Sequence, residues 1–266
     1  MPLIVLIGAN IAHSRSPYLH NTLFGRYGLP YRYELMPLDA DAVIPALEEM
    51  KRGDYRGANV TSPHKQIVMA ALDELSDEAR TIGAVNTIVF HEGRAIGHNT
   101  DVEGFRRSLV TAMRPDEPFT AAVLGTGGAA LAAIHALLRM EGLRSLVMYS
   151  RSAERSAAII ERWNDARLRG ELLDNFQPAD LVVHATPVGL AGDARSLLTA
   201  DQLRGSGLLY EMIYSPAETP LMREARSAGV RTLGGGGMFI GQALQAFQLW
   251  TGREANPTDV PTDLFS

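Results

Sequence analysis

Phe119-Thr120-Ala121-Ala122-Val123-Leu124-Gly125-Thr126-Gly127-Gly128-Ala129-Ala130 is the stretch on which the reading of the fold turns. Its first six residues carry no charge and read as a buried strand. The apolar residues 131–140 that follow read as a helix. Between the two, Gly125-x-Gly127-x-x-Ala130 occupies the strand-to-helix turn that a dinucleotide-binding loop requires, and alanine is allowed at the third position of that motif. Gly125 permits a tight turn, and Gly127 lets backbone N–H groups approach a pyrophosphate. Thr126, Gly128 and Ala129 complete the loop, and the helix start behind them favours negative charge. A glycine-rich turn with no ligand is the plainer alternative.

The next strand, 145–149, runs into Tyr149-Ser150-Arg151-Ser152, with Arg155 one turn on. A loop specific for NAD usually places a carboxylate at this tip to hold the ribose 2′-hydroxyl. Here the tip has none and the local charge is positive. Arg151 can pair bidentately with a 2′-phosphate, with hydroxyl donors on Ser150 and Ser152. A charge-assisted hydrogen bond contributes roughly 1.5–3 kcal/mol, so NADP(H) is expected to be preferred about ten- to a hundredfold per such bond. A solvated arginine at a helix start is the bland reading.

Working outward, strands are expected at 3–7, 31–37, 55–61 and 84–89, interleaved with helices at 17–27, 40–50, 65–72 and 102–113. The polar run Arg114-Pro115-Asp116-Glu117-Pro118 breaks the chain before the second α/β stretch. That stretch adds strands at 180–184 and 208–211. After four glycines, 234–237, a helix from about 238 to 250 closes at Thr251-Gly252. Such alternation predicts the α/β class with mostly parallel sheets. The chain has 266 residues, 46% apolar and 21% charged, with a formal net charge of −5, which gives no attraction for nucleic acid or an anionic membrane. It has no cysteine, so disulfides, thiolate metal sites and cysteine nucleophiles are excluded, and no metal-ligand cluster is visible. No apolar run approaches the 18 or so residues of a membrane span, and the first residues read as a strand and not a signal peptide. A cytoplasmic enzyme is the expectation.

Four further features lie between residues 14 and 101. Ser14 and Ser16 are two apart, facing one way if the segment is extended, and Ser16 precedes Pro17 as a helix N-cap would. Two hydroxyls beside a helix start make a carboxylate cradle; a simple cap is the alternative. In Gly57-Ala58-Asn59-Val60-Thr61-Ser62-Pro63-His64-Lys65, Ser62-Pro63 again reads as cap and first helical residue. That puts Lys65 in the first helical turn, where the macrodipole opposes a cation, as functional sites often tolerate. A surface lysine whose stem escapes the dipole is the alternative. Asp101, in Gly97-His98-Asn99-Thr100-Asp101, sits at a loop-to-helix junction and could be a cap. Asn86, in Gly83-Ala84-Val85-Asn86-Thr87, could be a turn residue.

Joined in order, these motifs resemble the shikimate dehydrogenase family over nearly the whole chain. The resemblance is carried by Ile11-Ala12-His13-Ser14-Arg15-Ser16-Pro17-Tyr18-Leu19-His20-Asn21, by the stretches just quoted, and by Ala185-Thr186-Pro187-Val188-Gly189. It continues in Tyr210-Glu211-Met212-Ile213-Tyr214-Ser215-Pro216 and Gly237-Met238-Phe239-Ile240-Gly241-Gln242. It implies an N-terminal substrate-binding α/β domain, residues 1–104 completed by 238–266. It also implies a Rossmann-type NADP-binding domain, 105–237, with a cleft between the two. It implies reversible NADPH-dependent reduction of 3-dehydroshikimate to shikimate, in aromatic amino acid biosynthesis, by a monomer or homodimer. Ser14 and Ser16 would hold the substrate carboxylate; Thr61, Asn86 and Gln242 would bind ring hydroxyls; Tyr214 would contact the substrate or nicotinamide end. Lys65 and Asp101 would be the catalytic pair. Thr186 would join the cofactor site, and Met212, Gly235 and Met238 would line the nicotinamide pocket. The chain departs from the family pattern at Asn10 for Pro, Ser150 for Asn, Glu211 for Asp, and at the four glycines. A quinate-using or divergent relative is the alternative, although Ser16, where quinate-using relatives often carry Thr, leans to shikimate.

Overall fold

The computed structural model describes residues 1–190 and 192–265, and the chain divides into two units, Met1–Gly104 with Ile240–Ser266 and Phe105–Phe239. In the first unit the chain runs β1 (Leu3–Gly8), α1 (Ser16–Arg26), β2 (Arg32–Pro37), α2 (Val43–Met50), β3 (Tyr55–Val60) and β4 (Glu74–Leu75). It continues through α3 (Asp77–Ile82), β5 (Thr87–His91), β6 (Arg94–His98) and the start of α4 (Asp101–Leu109). The sheet order is β2-β1-β3-β5-β6-β4. β1 pairs in parallel with β2 and β3, but β5 runs antiparallel to both β3 and β6. This sheet is therefore mixed where mostly parallel pairing was expected. The cause is a two-residue hairpin: Glu92 and Gly93 both have positive φ, 51° and 73°, as the tight hairpin turn demands. Val5, Ile7, Ala58, Val60, Ile88 and Phe90 pack from the strands against Val43, Leu47 and Met50 of α2.

The second unit runs β7 (Phe119–Leu124), α5 (Gly128–Leu138), β8 (Leu143–Ser150), α6 (Ala153–Trp163), β9 (Leu168–Leu172) and β10 (Leu181–His184). It goes on through α7 (Ala200–Leu203), β11 (Leu208–Glu211), α8 (Pro220–Ser227), β12 (Arg231–Leu233) and the start of α9 (Gly236–Thr251). Its sheet, in the order β12-β11-β10-β7-β8-β9, is parallel throughout. Ala121–Leu124 and Leu181–His184 are buried without interruption, as central parallel strands require. The order reverses direction at β7, the switch point at whose carboxyl edge such sheets bind ligands.

Two local expectations in the first unit are corrected. Residues 62–66 form turns around a cis Ser62–Pro63 peptide, and only a 3₁₀ turn, Ile67–Ala71, follows. Lys65 thus lies outside any α-helix, and the dipole reasoning applied to it lapses. Ser16 is the first residue of α1 and not its cap; Arg15 precedes it in helical conformation, φ −84° and ψ −3°, so the Ser14–Ser16 segment is not extended. No helix among the described residues is long and apolar enough to cross a membrane.

Candidate active site

The first unit collects its polar motifs at one edge of the sheet. β1 and β3 end there side by side, Ile7 opposite Val60. Because β5 is antiparallel, its start meets the end of β3 and the end of β6, with Asn59 and His98 both paired to Thr87. Asn86, just before β5, and Asn99-Thr100-Asp101, just after β6, are thereby brought to Thr61 and Lys65. The loop after β1 reaches the same edge. A Cβ on Gly8 would lie 2.5 Å from both Ile11 Cγ2 and Thr61 Cγ2, so the missing side chain lets that loop close on Thr61. It carries Ser14 and Ser16, whose hydroxyl oxygens are 3.2 Å apart despite the helical turn at Arg15.

Lys65 Nζ donates to Asp101 Oδ2 at 2.5 Å, and the two side chains are only 13% and 8% exposed. Salt screens such a pair far less than a surface one. The other carboxylate oxygen, Oδ1, accepts from Asn86 Nδ2 at 2.8 Å. Asn86 gives its second amide hydrogen to Thr100 Oγ1 at 3.0 Å and takes the Thr100 backbone N–H on Oδ1 at 2.7 Å. This pattern fixes the amide orientation, because reversal would turn its oxygen toward the carboxylate. Asn86, expected to bind a ring hydroxyl, thus also braces Asp101. Asp101 is the first residue of α4, and its two carboxylate oxygens accept from Lys65 and Asn86.

α9 adds Gln242. A Cβ on Gly241 would lie 2.9 Å from Gly104 Cα, so α9 crosses α4 with backbones almost touching, beside the helix that Asp101 starts. Tyr214 belongs to the second unit, as do all the residues expected at the cofactor.

In the second unit Gly125 has φ +122°, a conformation that favours glycine, and a Cβ there would strike Ala185 O at 3.0 Å and Thr186 Cγ2 at 3.1 Å. Gly127 differs. Its φ of −80° suits any residue, and a Cβ would meet nothing within 4 Å. Nothing among the described residues demands glycine there; a flat ligand laid on the loop would. α5 opens behind it with neither a side-chain cap nor an acidic residue in its first turn, so its N–H groups remain available to an anion.

A pocket of about 260 Å³ beside this loop is lined by Thr126, Ser150, Arg151, Ser152 and Arg155. The two serines also hydrogen-bond among themselves and their neighbours. Ser150 donates to the Ser152 carbonyl at 2.6 Å and Ser152 Oγ to Glu154 at 2.8 Å. Both hydroxyls are thus satisfied within the protein, and the cationic groups of the pocket are the guanidinium groups of Arg151 and Arg155. Farther along the sheet edge, a Cβ on Gly235 would lie 2.3 Å from Met212 O, which seats the glycine run directly on the Met212 backbone. Buried Met238 follows in the first turn of α9, and the Tyr214 ring lies 4.4 Å from that of Phe239. Sequence reasoning missed His184, Thr219 and Thr100. The first offered one signal, a histidine ending an otherwise uncharged, apolar strand.

Comparison with known proteins gives a consistent picture. Residues 6–88 match a profile described as the shikimate dehydrogenase substrate binding domain, and residues 235–260 one described as the shikimate 5′-dehydrogenase C-terminal domain. A shikimate dehydrogenase (NADP(+)) of Streptomyces avermitilis is 41% identical over 98% of this chain and 94% of its own. The crystal structure of shikimate 5-dehydrogenase from Thermus thermophilus in complex with NADP(H) and shikimate superposes with a TM-score of 0.88 at 35% identity, covering 97% of both chains. That of Listeria monocytogenes shikimate 5-dehydrogenase, in complex with shikimate and NAD, gives 0.85 at 30% identity over 97% of this chain and 94% of the other.

Proposed function

Since the chain belongs to the shikimate dehydrogenase family, we propose that it catalyses the reversible oxidation of shikimate to 3-dehydroshikimate with NADP as the preferred cofactor. The observation that carries this reading is the short, shielded contact of Lys65 Nζ with Asp101 Oδ2, itself braced by Asn86. Bound NADP(H) supplies or accepts the hydride at the ring carbon. In reduction, the carbonyl oxygen gains negative charge as the hydride arrives. The Lys65 ammonium stabilises that charge and donates the proton; in oxidation the amine takes it back. Asp101 orients the lysine so that a proton not given to the carboxylate points at the substrate.

Ser14 and Ser16 hold the substrate carboxylate, and Thr61 and Gln242 bind ring hydroxyls. On the second unit, the loop 125–129 takes the pyrophosphate. Arg151 and Arg155 take the 2′-phosphate, and Thr186, Met212, Gly235, Met238 and Tyr214 stand at the nicotinamide end. Two variants test this division. Arg151→Ala is expected to raise KM for NADPH about ten- to a hundredfold and leave NADH nearly unaffected. Ser14→Ala/Ser16→Ala is expected to raise KM for shikimate on the order of tenfold or more, with KM for NADPH unmoved. Equal loss with NADPH and NADH in the first, or normal shikimate binding in the second, sinks the corresponding assignment.

A further inference from the structure

His184 and Glu211 end neighbouring strands, directly opposite each other in the register of β10 and β11, and both are fully buried. His184 Nδ1 lies 2.7 Å from Glu211 Oε2. The same carboxylate oxygen accepts from the hydroxyl of buried Thr219 at 2.7 Å, and Oε1 accepts from the Ile213 N–H at 3.0 Å. On its far side the imidazole meets Thr186: Nε2 and Thr186 Oγ1 are 2.7 Å apart, and Thr186 Oγ1 also accepts from the Val188 N–H at 3.2 Å. The His184 carbonyl takes the Met212 N–H at 3.1 Å.

The cluster thus ties together the segments that follow β10 and β11 and the start of α8. Thr186 Cγ2 and Ala185 O crowd position 125, where the positive φ favours glycine, and Met212 O excludes a side chain at 235. A hydrogen-bonded chain runs from Thr219 through Glu211 and His184 to Thr186, linking the start of α8 to the glycine turn. Neither the hydride chemistry nor the 2′-phosphate pocket uses it. Burying such a pair is costly, and apolar residues of similar size would hold a core as well or better. Its presence under these loops points to geometry, not stability.

We propose that His184 and Glu211 are positioning residues that set the Thr186 and Met212 loops for the dinucleotide, and so govern cofactor affinity without touching the substrate. This rests on the reading that the second unit binds NADP(H). The test uses the full-length protein with His184→Asn, with Glu211→Gln, and with the paired apolar replacement His184→Leu/Glu211→Met, which keeps the region folded should a single variant unfold. Direct titration with NADPH is expected to show a Kd raised about tenfold in each, with KM for shikimate within twofold of the parent. The double variant is expected to be no worse than the poorer single one, because the two side chains act as one unit. Folded variants that bind NADPH as the parent does, or that lose NADPH and shikimate affinity in equal measure, overturn the proposal. Failure of the function itself would look different. A parent that binds NADPH but does not turn over shikimate leaves this titration intact, whereas a parent that binds no NADPH removes its premise.

Discussion

Lys65→Ala lowers kcat for shikimate by about a hundred- to ten-thousandfold, the usual range for a positioned acid–base group, and shifts KM by no more than about threefold. The reasoning is differential. Charge on the substrate oxygen and the proton exchanged with it exist only during the reaction, so the ammonium that serves them contributes little to binding the ground state. Asp101→Asn keeps the shape and the contact with Lys65 but removes the negative charge and sets an amide against the Asn86 amide. A milder fall in kcat, on the order of ten- to a hundredfold, is expected. Steady-state kinetics in both directions checks the pair. A large loss of affinity with turnover preserved would show that Lys65 binds substrate and does no proton work.

Acid is expected to weaken this protein through His20. The imidazole is fully buried, stacked on Tyr33 at 4.6 Å and set edge-on to Trp250 at 5.2 Å. Neither ring nitrogen has a hydrogen-bond partner among the described residues. Burial lowers its pKa from 6.5 to about 3. The folded state therefore resists a proton that the unfolded chain accepts. Above pH 6.5 both states are neutral and the residue makes no pH-dependent contribution. As pH falls from 6.5 toward 3, stability drops by up to ~1.4 kcal/mol per unit. By about pH 4.5 the loss is on the order of a few kcal/mol, a large share of a typical 5–15 kcal/mol. His20→Phe retains the aromatic packing and cannot titrate. Urea unfolding at about pH 7 and 4.5 should show the parent losing a few kcal/mol more than the variant, on the order of one per pH unit. His135, pushed down to about 4 by burial and by the Arg139 charge, acts in the same direction in both proteins. Equal losses in parent and variant would place the acid lability elsewhere.

What was legible in the sequence follows from the range of the forces involved. The β7–loop–α5 unit was legible because it is local: an uncharged strand, glycines at a turn and an apolar helix stand consecutively. The pairing of Lys65 with Asp101 was reached only through family resemblance, since 36 residues separate them and only the antiparallel insertion of β5 brings them together. Ser-Pro dipeptides misled twice. Ser16-Pro17 and Ser62-Pro63 read alike, yet one opens an α-helix from within and the other forms a cis turn. A Glu-Gly pair at 92–93, between two strand-like runs, was the available sign of the hairpin that makes the first sheet mixed. The His184–Glu211 pair left almost no trace, because its partners lie on neighbouring strands 27 positions apart.

The central claim is that Lys65 and Asp101 turn over a ring hydroxyl of shikimate with NADP selected at Arg151. Initial rates of the purified protein with shikimate and with quinate, each against NADP and NAD, test it most directly. Fast turnover is expected with shikimate and NADP, with a fall in kcat/KM of at least about tenfold on exchanging either partner. Equal rates with NADP and NAD, or no turnover of shikimate with either cofactor, would contradict it.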